Sequence, residues 1–262
     1  MDYFKMPITN REGKLEGKIA VVTGGARGLG RVIAETIAAL GADLVSIDLD
    51  ASNETVAVIK ASGGRASSYI ADLTDEQQVN DVFDEIIRQY KGIDILVNNA
   101  GFYSVERRPF WEIDSGEWEK VMMVNVRSVF LCSRAVSKPM RDQEWGRIIN
   151  ISSSVITFGM PNLMHYVAAK SAVAGMTRSM ARELGSYGIS VNVVAPGLVP
   201  TDSAMQAVGQ EMLEDAVQSQ AIQQPLDPRD IAGAVAFLCS REAGMVSGQT
   251  ILVNGGATFS GI

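Results

Sequence analysis

Seven short, mostly aliphatic runs recur along the chain: Ile19–Val22, Leu44–Ile47, Ala66–Ile70, Asp94–Val97, Ile148–Ile151, Val191–Val194 and Thr250–Val253. Most are too uniformly apolar to have one wet face, so they predict parallel strands covered by helices on both sides. The segments between them carry helical stripes. Val79, Val82, Phe83, Ile86, Ile87 and Tyr90 follow the i, i+3, i+4 pattern of one buried face. Ahead of them, Thr74-Asp75-Glu76-Gln77 reads as a capping box with Thr74 as N-cap and Gln77 at N3. Ile33, Ile37 and Leu40 stripe a helix that should stop at Gly41, and Asp227-Pro228 should open the helix striped by Ile231, Val235 and Leu238. This alternation predicts an α/β fold, a doubly wound parallel sheet of about seven strands. One domain is expected over residues 1–262, with an extension at 1–16.

Composition removes several functions. Against 30 Asp+Glu stand 23 Lys+Arg, a net charge of −7, which opposes binding to nucleic acid phosphates. Cys132 and Cys239 each lie in an apolar, helix-like stretch and read as free buried thiols, with no disulfide and no metal site. The opening MDYFKMPITNREGKLEG has no apolar core, and no run approaches 18 apolar residues. A soluble, cytoplasmic protein without a membrane partner is the expectation.

The turn VVTGGARGLG joins the first predicted strand to the first helix. Gly24, Gly28 and Gly30 fall where the chain must turn, let a ligand approach and pack a helix on a strand. The N-terminus that follows favours a pyrophosphate. Ile33 stands where a third glycine of G-x-G-x-x-G would be. Asp48 ends the second strand 18 residues after Gly30, the place of a carboxylate that accepts from an adenosine ribose and repels a 2′-phosphate. Arg27 works in the other direction, but no basic residue follows Asp48, so NAD is favoured over NADP.

Set beside NNAG (98–101), NISSS (150–154), YVAAK (166–170) and APGLVPT (195–201), the turn TGGARGLG (23–30) makes the chain resemble the short-chain dehydrogenases/reductases from Lys18 to Gly256. The resemblance implies a Rossmann fold and a tetrad of Asn125, Ser153, Tyr166 and Lys170, Ser153 being the serine 13 residues before Tyr166 and Asn125 coming from VNVRS in the middle of a long helix, where an asparagine is otherwise a poor choice. It implies cofactor contacts from Gly24, Arg27, Gly28, Leu29 and Gly30, from Asp48, and from Asp72 and Leu73 at the adenine. Asn99 is implied near the adenosine half, and Pro196, Gly197, Val199 and Thr201 at the nicotinamide. Lys170 would bind the nicotinamide ribose, Asn125 would hold a water that relays protons, and a homotetramer is implied.

The residues fit those roles. Tyr166 and Lys170, four apart, share a helix face, and an ammonium there should lower the phenol pKa from about 10. Tyr166 could then exchange a proton with an alcohol or ketone oxygen while Ser153 donates to it. His165 points about 100° round the helix and reads as a packing or rim residue. Met205, Val208, Met212 and Val217 give one apolar side to a segment that, by resemblance, is a substrate lid at 202–226. Phe102, Tyr103, Val155, Phe158 and Met160 should border the same cleft, with Tyr103, Val155, Phe158 and Met205 against the substrate. The function expected first is NAD-dependent dehydrogenation of a secondary alcohol bearing an apolar or aromatic group. An NADP-dependent 3-oxoacyl carrier-protein reductase is the alternative, opposed by Asp48 and by the acidic charge balance. A catalytically silent NAD-binding protein is opposed by the intact tetrad.

Overall fold

The computed structural model describes residues 14–103 and 105–259, so positions 1–13 of the expected extension lie outside the described residues. All seven predicted strands form one parallel sheet in the order β3-β2-β1-β4-β5-β6-β7. They are β1 (Ile19–Thr23), β2 (Asp43–Asp48), β3 (Ala66–Ile70), β4 (Ile95–Asn98), β5 (Gly146–Ile151), β6 (Ile189–Pro196) and β7 (Thr250–Val253). Asp94 stays outside β4 and works as a clamp, its carboxylate accepting from Ile19 N at 2.9 Å and Lys18 Nζ at 2.8 Å. The winding reverses between β1 and β4, and such a fold leaves a crevice there, beyond the C-terminal ends of the strands.

Helices cover both faces. On one, α1 (Gly28–Ala39) and α9 (Pro228–Cys239) pack Ile33, Ile37, Val235 and Leu238 against Val22 and Ile149. On the other, α3 (Glu76–Tyr90) and α5 (Ser128–Asp142) pack Phe83, Ile86, Leu131 and Met140 against Val21 and Leu96. Cys239 belongs to the first layer and Cys132 to the second, so the sheet keeps the two free thiols apart. Burial pushes the Cys132 thiol up to about 12.

Two local expectations need correction. The N-cap of α3 is Asp75, which accepts from Gln77 N and Gln78 N. Thr74 is unavailable because its hydroxyl donates to Asp72 Oδ1 at 2.7 Å. Asn125 is not inside a regular α-helix either: α4 (Ser115–Met122) passes into α5 through a π turn, Met123–Arg127. The remaining ends follow the sequence. Asp227 and Asp230 form a capping box at α9, and α1 stops just before Gly41, at φ +99°. Among the described residues no helix is long and apolar enough to cross a membrane.

Candidate active site

The crevice is bordered on one side by the glycine turn. Gly24 has φ +66° and lies so near Ala100 that a Cβ would stand 2.9 Å from its Cα. At Gly30 a Cβ would meet the Gly24 carbonyl oxygen at 1.9 Å, so only glycine lets α1 seat on β1. Three side chains brace the turn. Asn99 Nδ2 donates to the carbonyls of Thr23 (3.0 Å) and Gly24 (3.1 Å), and Thr55, in α2 (Asn53–Ala61), donates to Gly25 O at 2.8 Å. Asp48, at the end of β2, accepts from Ala26 N at 2.9 Å. Asn99 is therefore engaged with the turn itself, and Thr55 gave no signal in the sequence.

The N-terminus of α1 has neither a side-chain cap nor an acidic residue in its first turn. Its amides and positive dipole end remain available to an anion, which fits a pyrophosphate. Arg27 is largely exposed and its guanidinium lies 3.9 Å from Asp50. Leu29 packs against the core layer of α1. Asp72 commits Oδ1 to Thr74 N (2.9 Å) and its hydroxyl, and Leu73 is buried. Across the crevice, Pro196 ends β6, Gly197 N donates to Val253 O at 2.9 Å, and Val199 is buried. Thr201 caps α8 (Asp202–Gln218), and a Cβ at Gly28 would lie 3.9 Å from it, so the two loops face each other at contact distance.

The tetrad residues converge at the floor. Tyr166 and Lys170 lie on α7 (Met164–Leu184), and Lys170 Nζ is 5.7 Å from the Tyr166 ring centre. Ser153, after β5, is half-buried and hydrogen-bonds Tyr166. Its neighbours are structural: Ser152 Oγ donates to Lys170 O at 2.9 Å, and Ser154 N to Pro196 O at 2.8 Å. Asn125 is buried on the π turn, donating to Phe102 O (2.9 Å) and Val121 O (3.0 Å) and accepting from Phe102 N (3.1 Å). A Cβ at Gly101 would stand 3.0 Å from Asn125 Oδ1 and 3.3 Å from Lys170 Nζ, so both side chains meet at that glycine.

The expected electrostatics are different in the structure. Burial pushes the Tyr166 phenol up to about 12, Tyr103 adds to this, and only the Ser153 hydrogen bond opposes it. Burial also brings the Lys170 ammonium down to about 8. Lys170 Nζ is turned to Ile151 O at 3.2 Å rather than to the phenol oxygen, so removing the phenolate from water outweighs its attraction.

On the substrate side the placements are looser. Tyr103 is 41% and Phe158 49% exposed, while Val155 and Met205 are half-buried. Val155 and Phe158 begin and end a short helix, α6 (Val155–Phe158). The expected continuous apolar side over 205–217 is broken, because α8 kinks at Gly209 (φ +76°, ψ 176°). Beyond α8, Leu226 joins the core. His165 is wholly buried, which makes it a packing residue and not a rim one, and its Nε2 lies 3.2 Å from Glu117 Oε1.

A family model described as Enoyl-(Acyl carrier protein) reductase matches residues 24–258. The 3-oxoacyl-[acyl-carrier-protein] reductase of Vibrio cholerae is 39% identical over 244 residues, 92% of this chain and 98% of that protein. The chain belongs to the short-chain dehydrogenase/reductase family. The Escherichia coli 3-oxoacyl-[acyl-carrier-protein] reductase is 38% identical, covering 92% of this chain and 97% of its own. Among solved structures, a 7α-hydroxysteroid dehydrogenase complexed with NADH and 7-oxo glycochenodeoxycholic acid superposes with a TM-score of 0.90 at 35% identity, over 95% of this chain and 98% of that one. This family member is thus an oxidoreductase acting on CH–OH groups with a nicotinamide cofactor.

Proposed function

We propose that this oxidoreductase interconverts a 3-oxoacyl group and its 3-hydroxy counterpart. The observation behind this choice is that the curated relatives named for that reaction match nearly the whole chain at 38–39% identity. It displaces the secondary-alcohol dehydrogenase as first choice, since the features opposing it, Asp48 and the charge balance, do not touch the reacting atoms. One observation favours the second reading, NAD-dependent oxidation of an apolar or aromatic secondary alcohol. The residues bordering the substrate side, Tyr103, Val155, Phe158 and Met205, carry no charge that would recognise a phosphate or carboxylate. The coenzyme we propose in both cases is NAD, because Asp48 ends β2 and the exposed Arg27 faces Asp50.

The nicotinamide, when bound, supplies or accepts the hydride. The uncapped amides of α1 would hold the pyrophosphate, and Asp48 would accept from the adenosine ribose. Ser153 donates to the substrate oxygen, and Tyr166 passes a proton to it during reduction or takes one during oxidation. With a pKa near 12 the phenol stays protonated at neutral pH, which suits reduction. By the family resemblance Lys170 would hold the nicotinamide ribose. A water relay at Asn125 has one lone pair of Oδ1 to use, since both N–H groups are already donated to carbonyls. Exposed Phe130, Phe237 and Met245 support a homotetramer, to be checked by light scattering.

The test is a comparison of kcat/KM for an acetoacetyl thioester, with NADH and with NADPH, against a panel of secondary alcohols with NAD and NADP. A thioester at least about tenfold better than any alcohol supports the first reading, and the reverse order supports the second. NADH should be preferred, and Asp48→Ala should narrow that preference by about tenfold. Preference for NADPH by the unmodified protein would show that Arg27 outweighs Asp48.

A further inference from the structure

Behind the cleft, polar side chains from three separate segments meet. His165 opens α7 one residue before Tyr166, and its buried Nε2 faces Glu117 Oε1 of α4 at 3.2 Å. A carboxylate can only accept, so Nε2 carries the proton in this contact, and Nδ1 has no hydrogen-bond partner among the described residues. The second oxygen of Glu117 lies 3.5 Å from Arg108 Nε, an ion pair without a hydrogen bond, so that this buried N–H is left without a partner among the described residues. Arg108 belongs to the irregular stretch 105–109, which follows Tyr103 in the chain. Its own N–H donates at 3.2 Å to the carbonyl of Asn162, in the turn that leads into α7. Glu117 and Arg108 are both shielded, 16% and 26% exposed at the side chain, so their attraction is less screened than at an open surface. Arg108 also pairs with Glu106, but Glu106 is exposed and lies in the same loop, so that pair cannot anchor the loop to anything.

We propose that Glu117 is a positioning residue: it latches residues 105–109, through Arg108, to the His165 end of the helix that carries Tyr166, and so steadies the side of the cleft that Tyr103 borders. That Tyr103 adds to the rise in the Tyr166 pKa is consistent with its bordering the cleft. The kinetic part of this inference rests on Tyr166 being the acid–base group of the proposed reaction. The latch itself does not.

Glu117→Gln keeps the size and a hydrogen bond to His165 but removes the charge that holds Arg108. We expect KM for the carbonyl substrate to rise about fivefold, the upper size of one lost ion pair, with KM for the cofactor unchanged within about twofold. Arg108→Met should reproduce this, Arg108→Lys should restore much of it, and the double variant Glu117→Gln/Arg108→Met should be no worse than either single one. A second readout needs no substrate. Trypsin should cut the Arg107–Arg108 bond several-fold faster in Glu117→Gln than in the unmodified protein, scored by the masses of the two fragments. If the unmodified protein turned over none of the tested substrates, the proposed function would fail while the proteolysis still decided the latch. Unchanged cleavage in Glu117→Gln would overturn the latch, as would additive losses in the double variant or an equal loss of cofactor affinity.

Discussion

On the cofactor side of the cleft the backbone is held from several directions. Asn99, Thr55 and Asp48 brace the glycine turn, and Gly30 has no room for a single carbon. On the substrate side, Tyr103 and Phe158 sit in a loop and a four-residue helix with two-fifths to half their surface exposed, and the helix opposite is kinked at Gly209. The difference teaches where binding energy can be tuned. A rigid turn suits a ligand that never changes, whereas side chains with free surface can be exchanged one at a time without disturbing the sheet.

The largest test lies at the meeting point of the two sides. Tyr166→Phe should lower kcat by on the order of 10²–10⁴ while leaving cofactor affinity nearly unchanged. Because burial holds the phenol near 12, oxidation should rise with pH throughout the alkaline range, and reduction should stay flat through neutrality. A pH–rate profile for both directions checks this, and an oxidation plateau already reached at pH 7 would show that Lys170 lowers the phenol after all.

Next in size is Lys170. Its depression from 10.5 to about 8 means that the folded state gives up this proton more readily than the unfolded chain. Below about pH 8 both states hold the proton and the folded one bears the whole penalty, about 3 kcal/mol; between about 8 and 10.5 stability rises with pH. Lys170→Met should therefore stabilise the cofactor-free protein at pH 7 by up to about 3 kcal/mol and abolish that rise, while weakening cofactor binding. Thermal unfolding of both proteins from pH 6 to about 10 measures it. A variant no more stable at pH 7 would mean that the buried ammonium is not under strain.

Gly30→Ala sharpens the contrast from the cofactor side. The added carbon would meet a backbone oxygen that cannot move alone, so cofactor affinity should fall about 10- to 100-fold, with a lower Tm. Titration calorimetry with NADH checks it. The smallest effect belongs to the other side. Phe158→Ala, at a half-exposed position, should change KM for the substrate by only a few-fold and Tm by less than about 2 °C. A large drop in Tm there would erase the distinction between the two sides.

The features legible in the sequence are those whose partners lie at fixed short spacing. Tyr166 and Lys170 are four apart on one helix, the glycine turn is contiguous, and Asp48 closes the next strand. The central strands could be read because both faces of each are covered. What could not be read depends on partners brought from elsewhere. Thr74 and Asp75 are both good caps, and only the bond from Thr74 to Asp72 decides between them. Asn125 was conspicuous as a residue, but the wide turn around it was not, because a turn type is a path of the backbone. Spacing placed the lysine beside the tyrosine but said nothing of how far each is removed from water, and that desolvation sets the direction of both shifts. Arg108, Glu117 and His165 come from three segments and share no pattern at all.

The π turn at Met123–Arg127 also sets an angular offset. A widened turn takes up one residue more than a regular one, so α4 and α5, though continuous, are about 100° out of phase with an unbroken rod. The offset lets the first half face α7 while the second faces α3. Deleting any one residue between 123 and 127 would restore the regular winding and swing Glu117 more than a quarter turn away from His165. Chain length across this stretch is therefore as tightly constrained as the identity of a residue in the cleft.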